Sequence, residues 1–191
     1  MLRADHQTAG RGRLDRRWDA PAGTNLLVSI LFRGPTDPPE LVRRVGLAVT
    51  LAARDTCAVD AVLKWPNDVL VGGRKVAGVL AQRAPNGVVV VGAGVNLGWA
   101  PDGAARLGDV DPAEFLLAVL DAFDTLPEDV TDLYRASLAT LGQRVRVERP
   151  TDAIVGTAID VDAHGRLVVL DECAISHHID AGDVIHLRPA T

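Results

Sequence analysis

The two lysines of the chain are the first residues that could do chemistry. The 191 residues include 18 arginines, whereas Lys64 and Lys75 are the only lysines and lie in one stretch. An ammonium group is a compact point charge and a guanidinium group is a broad planar fork, so a lysine suits a single oxyanion in a crowded pocket. The composition therefore predicts that these side chains bind a phosphate or carboxylate oxygen. The alternative is that both are ordinary surface lysines that by chance have not been replaced by arginine.

The segment 64–68 (Lys-Trp-Pro-Asn-Asp) places a cation, an aromatic ring, a chain bend, an amide and a carboxylate at the end of a predicted strand. Asp68 is a candidate for Mg²⁺, which takes one or two protein carboxylates together with substrate phosphates. An ordinary turn aspartate is the alternative. Trp65 is most simply a core residue.

A basic segment near the N-terminus is a second candidate for anion binding. Residues 7–18 have neither a helical nor a strand period and contain two glycines, which predicts a long mobile loop. In the tetrapeptide 10–13 (Gly-Arg-Gly-Arg), backbone N–H groups and guanidinium forks could converge on one ligand. A solvated basic loop is the alternative. A loop that closes over a reactive intermediate would also keep water away from it.

The charge distribution separates this segment from the rest of the chain. The formal net charge is −5, but residues 1–17 hold five arginines and two aspartates, a balance of +3, which leaves −8 for the remainder. A general nucleic-acid binder spreads basic charge over a whole face. The pattern therefore predicts a local anion pocket and no nucleic-acid partner.

The composition is that of a compact soluble protein, with 48% hydrophobic and 24% charged residues. Cys57 and Cys173 lie far apart without a partner at metal-ligand spacing, so neither a disulfide framework nor a zinc site is predicted. The apolar runs fall short of the ~18 residues of a membrane span, and the charged N-terminus is unlike a signal peptide. We expect a cytoplasmic protein without a membrane partner.

Hydrophobic periodicity predicts an α+β fold. The predicted strands of the first part are 25–32, 62–65, 69–71, 76–83 and 88–95. The predicted helices are 40–58, a segment that opens at Asp111-Pro112, and 129–141. After Gly142, short strands alternate with turns, which predicts a small barrel-like β domain over 142–191 with strands at 144–149, 154–161, 167–170 and 184–187.

The glycine-rich segment 92–98 does not fit a dinucleotide-binding motif, because that motif requires glycine where this chain has Leu97. Small residues here would instead let a ligand ring approach the strand backbone, with bulge glycines as the alternative. Asn96 could then supply a polar contact. The motifs of nucleophile-elbow hydrolases, P-loop enzymes and zinc proteases are absent from the sequence. Neighbouring His177 and His178 alternate faces, which disfavours a shared metal.

Several motifs occur together in a fixed order. They are Gln7-x-x-Gly10-Arg11-Gly12-Arg13, Trp18, Pro21-x-Gly23-x-Asn25-Leu26, Lys64-Trp65-Pro66-Asn67-Asp68, Lys75-x-x-Gly78-Val79-Leu80 and Gly92-x-Gly94-Val95-Asn96. From residue 4 to residue 98 the chain resembles the biotin–protein ligase family, and its C-terminal β segment resembles the small SH3-like domain of that family. The resemblance implies a class II synthetase-like mixed or antiparallel sheet flanked by helices over 1–141 and an SH3-like β-barrel over 142–191.

The resemblance also implies an activity, that of a biotin–[acetyl-CoA-carboxylase] ligase. ATP and biotin would give biotinyl-5′-AMP and pyrophosphate, with Mg²⁺ as cofactor, and biotin would then pass to a lysine of a biotin carboxyl carrier domain. The protein would act as a monomer or homodimer. A lipoate or octanoate ligase or transferase is the nearest alternative, and a truncated relative that binds biotin without turnover is another.

By the same resemblance, individual residues match the site of the family. Lys75 and Arg11 match catalytic positions, and Asp68 matches a Mg²⁺ position. The biotin-binding positions are Gln7, Gly10, Arg11, Gly12, Arg13, Lys75, Gly78 and Gly94. Trp18 would form a wall against the adenine, and the ATP-binding positions are Trp18, Lys64, Asn67, Asp68 and Asn96.

Two departures from the family pattern affect the expected site. Asp15 stands in the loop where the family usually has glycine, which adds a carboxylate beside the arginines and would alter loop closure. The family also has a strand and a helix with a Ser-Thr-Asn motif before the loop, whereas Met1 lies almost on the loop. We therefore expect one wall of the pocket to be missing, through a misplaced start or because the chain is a fragment. No helix-turn-helix precedes the loop in this sequence, so a DNA-binding role has no support.

Overall fold

The computed structural model describes residues 1–34, 36–149, 152–180 and 182–187, and the side chain of Asp15 lies outside the described part. The described residues form two antiparallel sheets and three α-helices. This arrangement confirms the α+β class. The predicted division into domains 1–141 and 142–191 stays a prediction, and residues 188–191 of the second part lie outside the described residues.

The first sheet has the strand order β1-β2-β6-β5-β4-β3, and every ladder in it is antiparallel. Its strands match the predicted ones closely, apart from a short first strand that the sequence did not reveal. The bounds are β1 Leu2–Ala4, β2 Leu26–Phe32, β3 Ala61–Lys64, β4 Asp68–Val71, β5 Arg74–Arg83 and β6 Val89–Val95.

Two helices cover one face of this sheet. Helix α1 (Pro38–Cys57) packs on β3 to β6, and α2 (Pro112–Asp124) packs on β2 and on α1. Both begin with an aspartate N-cap followed by proline, Asp37 for α1 and Asp111 for α2, which satisfies the first free backbone N–H groups. The helices bury one side of the strands and leave the opposite face for a ligand.

Helix α3 is shorter than predicted, because it spans Thr131–Ser137 and not 129–141. Leu138 is extended (φ −84°, ψ 110°) and forms a parallel bridge with Leu63 of β3, and Ala139 N donates to the Leu63 carbonyl at 2.8 Å. Pairing with the sheet edge replaces the next helical turn. The predicted end of the helix was wrong because the periodicity of apolar residues carries no information about pairing with a strand that is distant in sequence.

The second sheet has the order β10-β9-β8-β7-β11 and is also antiparallel. Its strands confirm the predicted ones and add one that carries His177 and His178. The bounds are β7 Arg144–Glu148, β8 Ala153–Val161, β9 Leu167–Asp171, β10 Ser176–Ile179 and β11 Asp183–His186.

Two buried side chains of the first part hold the β8–β9 turn of the second sheet. Trp65, which is 3% exposed as expected for a core residue, donates from Nε1 to the Gly165 carbonyl at 2.9 Å. Arg43 is also buried, and a Cβ at Gly165 would lie 2.7 Å from its Nη1. Gly165 also has a φ of +76°, a backbone conformation in which a residue with a side chain would be strained. None of the described helices is long and apolar enough to cross a bilayer.

Candidate active site

A cavity of about 510 Å³ lies on the sheet face that the helices leave free. Alternate residues of two adjacent strands form its floor, Gly78 and Leu80 on β5 beside Gly92 and Gly94 on β6. Because side chains alternate along a strand, the intervening Val79 and Ala93 point toward the helix-covered face, and both are buried. The missing side chains of Gly78 and Gly94 make room for the Trp18 ring, and at Gly92 the nearest atom to the place of a Cβ is the Leu80 carbonyl oxygen at 3.8 Å.

The basic segment 7–18, from here on called the basic loop, forms a hairpin over this floor through residues 10–18. Trp18 N donates to the Gly10 carbonyl at 3.1 Å, and Gly12 N donates to the Arg16 carbonyl at 2.6 Å. A 3₁₀ turn at Arg13–Asp15 forms the tip. A Cβ at Gly10 would lie 2.0 Å from the Trp18 carbonyl oxygen, so only glycine closes the hairpin this tightly. The loop thus presents its arginines from an ordered frame.

Trp18 lies directly on the glycine floor. A Cβ at Gly94 would lie 2.4 Å from Trp18 Cε2, and a Cβ at Gly78 would lie 3.4 Å from Cζ3 of the same ring. Trp18 Nε1 is buried and has no hydrogen-bond partner among the described residues. Because an unpaired buried donor is costly, this part of the cavity favours a ligand that carries an acceptor atom.

Lys75 brings an ammonium group to the same end of the cavity. Its Nζ lies 2.7 Å from Asp68 Oδ1 and 5.5 Å from the centroid of the Trp18 ring. The lysine and aspartate side chains are 39% and 23% exposed, so solvent screens the pair only in part. The arrangement gives a positive group that is fixed by a carboxylate and an aromatic face.

Arg13 joins the loop to both sheets. Its Nη1 donates to Asn67 Oδ1 at 3.3 Å, and its Nη2 donates to the Gly182 carbonyl at 2.9 Å. Burial lowers the pKa of the Arg13 guanidinium, whereas Asp183 and Asp68 oppose that shift. Arginine is not deprotonated in proteins, so the group stays charged at neutral pH.

The structure brings most of the predicted site residues together. Ten of them line the cavity: Gln7, Arg11, Gly12, Arg13, Trp18, Asn67, Asp68, Lys75, Gly78 and Gly94. The expected effect of Asp15 stays a prediction, because its side chain lies outside the described part of the chain.

Three predicted residues do not line the cavity. Gly10 is buried at the neck of the loop hairpin. Lys64 lies at the end of edge strand β3, and together with burial its charge lowers the pKa of His186 in the second sheet. Asn96 is 2% exposed, and its amide accepts from Asn25 Nδ2 at 3.3 Å and donates to the Ala105 carbonyl at 3.1 Å. Neither Lys64 nor Asn96 lines the cavity, and the prediction that they contact the nucleotide stays a prediction.

Other residues line the cavity that the sequence did not single out. Arg16 and Arg17 lie in the basic segment 7–18, and Leu80 belongs to a motif already noted. Alternation along β5 would also have indicated Gln82. Ser29 comes from β2, and Asp183 comes from the second sheet. No local signal links Asp183 to the loop, because the contact joins distant parts of the chain.

The described residues contain no group of three or more His, Cys, Asp or Glu side chains that could hold a metal ion. Asp68 is a cavity carboxylate that could serve Mg²⁺ if substrate phosphates supply most of the ligands. His177 and His178 pair with two different aspartates, Asp171 and Asp162.

Comparisons with known proteins agree along most of the chain. Residues 3–98 match the Biotin/lipoate A/B protein ligase family, and residues 140–187 match the Biotin protein ligase C terminal domain. A biotin--[acetyl-CoA-carboxylase] ligase of Mycobacterium tuberculosis is 39% identical, over 98% of this chain and 79% of that protein. A protein of the same name from Paracoccus denitrificans is 35% identical, over 88% of this chain and 79% of that protein.

A solved structure matches the fold as well. The biotin protein ligase from Aquifex aeolicus in complex with biotin and ATP superposes with a TM-score of 0.85 and 28% identity, over 98% of this chain and 88% of that one. Its match extends through both sheets of the present structure. On these grounds the chain belongs to the Biotin/lipoate A/B protein ligase family.

Proposed function

We propose that this protein is an ATP-dependent ligase that forms biotinyl-5′-AMP and transfers the biotinyl group to a lysine of an acceptor protein. The single observation that carries the proposal is the cavity over the glycine floor, where Lys75 and several loop arginines surround one space. The relatives named as biotin--[acetyl-CoA-carboxylase] ligases support biotin over lipoate or octanoate as the acid.

The first step joins two anions. A carboxylate oxygen of biotin attacks the α-phosphorus of ATP, the bond from that phosphorus to the bridging oxygen breaks, and pyrophosphate leaves. Because negative charge concentrates on the phosphoryl oxygens, cations fixed in advance lower the barrier. We assign this role to Lys75 and Arg11, which both line the cavity.

The second step consumes the adenylate. The ε-amine of an acceptor lysine attacks the acyl carbon, the bond from that carbon to the phosphate oxygen breaks, and AMP leaves while the amine gives up a proton. Water can compete in this step, so a covering loop protects the intermediate. The hairpin of residues 10–18 lies where it could provide that cover.

We assign the acid and the nucleotide to different parts of the cavity. Biotin would contact Gln7 and the glycine floor, with Gly12, Arg13 and Lys75 near its carboxylate. The nucleotide would lie toward Asn67 and Asp68, with Trp18 as an aromatic wall. When Mg²⁺ is bound it neutralises phosphate charge, and Asp68 is the residue that would hold it.

The partner that fits this chemistry is the carrier domain of a biotin-dependent carboxylase, as the names of the relatives imply for those proteins. We place the reaction in the cytoplasm, where ATP is available, with no nucleic acid as partner and with a monomer or homodimer as the working form. The C-terminal sheet would serve as a small accessory domain.

The test is an incubation of the purified chain with ATP, Mg²⁺, biotin and a carboxylase carrier domain. We expect biotin-dependent exchange between ATP and labelled pyrophosphate, and an avidin-reactive carrier. Lipoic and octanoic acids are run in parallel. Exchange with either of these acids and not with biotin would contradict the proposal, as would biotin binding without exchange.

A further inference from the structure

The basic loop is held from outside its own sheet. Arg16 forms an ion pair with Asp183, and Arg13 Nη2 donates to the Gly182 carbonyl at 2.9 Å. Both partners lie at the start of β11 in the C-terminal sheet, far along the chain from the loop. Asp183 also lines the cavity, so this contact lies at its rim.

The C-terminal side of this contact is firmly placed. Asp183 pairs with Glu148 in the β7–β11 ladder, and Leu187 N donates to the Arg144 carbonyl at 2.8 Å beyond the other end of that ladder. A Cβ at Gly182 would lie 2.6 Å from Val147 Cγ1, so the Gly182 backbone rests against the sheet. The carbonyl and the carboxylate therefore form a fixed anchor.

The loop side is less constrained. Arg13 and Arg16 stand at either end of the 3₁₀ turn at the hairpin tip, and the side chain of Arg16 is 65% exposed. Beyond this turn, the loop is held mainly by its own backbone hydrogen bonds and by Trp18 on the glycine floor. Contacts at the tip can thus govern how often the loop opens.

We infer that Asp183 and the Gly182 carbonyl form a latch that holds the tip of the basic loop over the cavity and so limits the escape and hydrolysis of the acyl adenylate. The inference rests on the proposed function. Asp183 acts through Arg16 and is a positioning residue. In the open state, water that attacks the acyl carbon breaks its bond to the phosphate oxygen, which returns the acid and AMP while a proton passes to solvent.

The free energy of the Arg16–Asp183 ion pair is large enough to shift the loop between closed and open states but too small to decide whether the protein folds. A largely exposed ion pair contributes little to folding, so its removal leaves the sheets intact. The same small free energy acts directly on the balance between closed and open loop. A change of about fivefold in the open population corresponds to about 1 kcal/mol, which is within the range of such a pair.

The test compares Asp183→Asn, which removes the charge at constant size, with Asp183→Glu, which keeps it. The matched control is Glu172→Gln, which removes a carboxylate that pairs with Arg144 within the same sheet. Each variant receives ATP, Mg²⁺ and biotin without an acceptor, and steady pyrophosphate release is measured. We expect Asp183→Asn to raise this uncoupled release about two- to fivefold relative to wild type, with Asp183→Glu and Glu172→Gln near wild type.

Hydrogen exchange of the amides of residues 10–18 gives a second readout that needs no turnover. We expect faster exchange in this segment for Asp183→Asn and unchanged exchange in β7 and β8. Wild-type rates of pyrophosphate release and of amide exchange in Asp183→Asn would overturn the latch. Pyrophosphate release in Asp183→Glu as fast as in Asp183→Asn would overturn it as well. The proposed function fails separately, through absence of biotin-dependent pyrophosphate exchange in the wild-type protein.

Discussion

Lys75 Nζ lies 2.7 Å from Asp68 Oδ1 across the β4–β5 hairpin. The two residues are not partners in the ladder, since Asp68 pairs with Gly78 and Lys75 with Leu70. An irregularity between Val69 and Leu70 shifts the register and lets the lysine reach the carboxylate. The hairpin thus gives the cavity a cation whose position is fixed before any anion binds.

Replacement of Lys75 should affect chemistry far more than folding. A unit charge 4 Å from an oxyanion in an effective dielectric near 20 contributes about 4 kcal/mol, and partial exposure of Lys75 reduces that figure. We expect Lys75→Ala to slow biotin-dependent ATP–pyrophosphate exchange by about 100- to 1,000-fold, in line with about 3–4 kcal/mol of transition-state stabilisation. The exchange assay at saturating ATP measures this directly.

Arg74→Ala is the matched control for this prediction. Arg74 precedes Lys75 in β5, is exposed and does not line the cavity, so its loss removes one positive charge from the same hairpin. We expect exchange within about threefold of wild type, as is usual for exposed charges. Equal losses in both variants would mean that net charge matters and the position of Lys75 does not.

Gly94 should tolerate no side chain, because the Trp18 ring occupies that space. A Cβ there would lie 2.4 Å from Trp18 Cε2, a separation that forces the ring to move. We expect Gly94→Ala to raise the Kd for biotin by about tenfold, or about 1.4 kcal/mol, with a melting temperature within a few degrees of wild type. Calorimetric titration with biotin measures the affinity.

A double-mutant cycle identifies the cause. In a Trp18→Ala background the new methyl group meets no ring, so Gly94→Ala should raise the Kd for biotin by less than about threefold. Such non-additivity is expected of two residues in contact. Additive effects of the two substitutions would show that the methyl group blocks the ligand directly and that the position of the Trp18 ring does not determine the loss of affinity.

Much of the fold could be predicted because its signals are local. Proline after an aspartate cap predicted the start of α2, and the apolar run 88–95 predicted β6. The end of α3 could not be predicted, because Leu138 leaves the helix to pair with Leu63. That pairing depends on tertiary contact, which outweighs helical propensity.

For the candidate site too, local signals predicted some residues and missed those that depend on tertiary contacts. The rarity of lysine and the short motifs indicated Lys75 and Asp68, which the fold places in contact. Asp183 was missed, because the loop and the C-terminal sheet meet only in the folded chain. Asn96 was predicted to be a ligand contact from the glycine-rich segment and the family resemblance, whereas its hydrogen bonds to Asn25 and Ala105 are seen only in the folded chain.

Asn96 should therefore matter for stability. Its loss would leave the amide of Asn25 and the carbonyl of Ala105 without their partners, and both belong to a buried network. We expect Asn96→Ala to lower the free energy of unfolding by about 1–3 kcal/mol, as measured by urea titration. Asn86→Ala, at an exposed turn, should cost less. Wild-type stability with a raised KM for ATP would instead support Asn96 as a nucleotide contact.

Asp162 should make the stability of the C-terminal sheet depend on pH. Burial raises the pKa of this carboxyl, but hydrogen bonds from the side chain and backbone of Arg166 and from His178 outweigh that effect and lower it to about 2. Because the folded pKa lies below the ordinary value of 3.8, the unfolded chain binds the proton more readily between those values. The contribution is complete above pH 4 and is lost as the pH falls toward 2, up to about 2 kcal/mol.

Comparison of wild type with Asp162→Asn isolates this contribution from that of other carboxyls. Asparagine can still accept from the backbone N–H groups of His164 and Arg166, but it carries no charge for the Arg166 guanidinium. We expect the difference in unfolding free energy between the two proteins to be largest at pH 5 and to shrink steadily toward pH 2. A difference that stays constant over this range would mean that Asp162 contributes through shape and hydrogen bonding alone, and that its ionisation is not linked to folding.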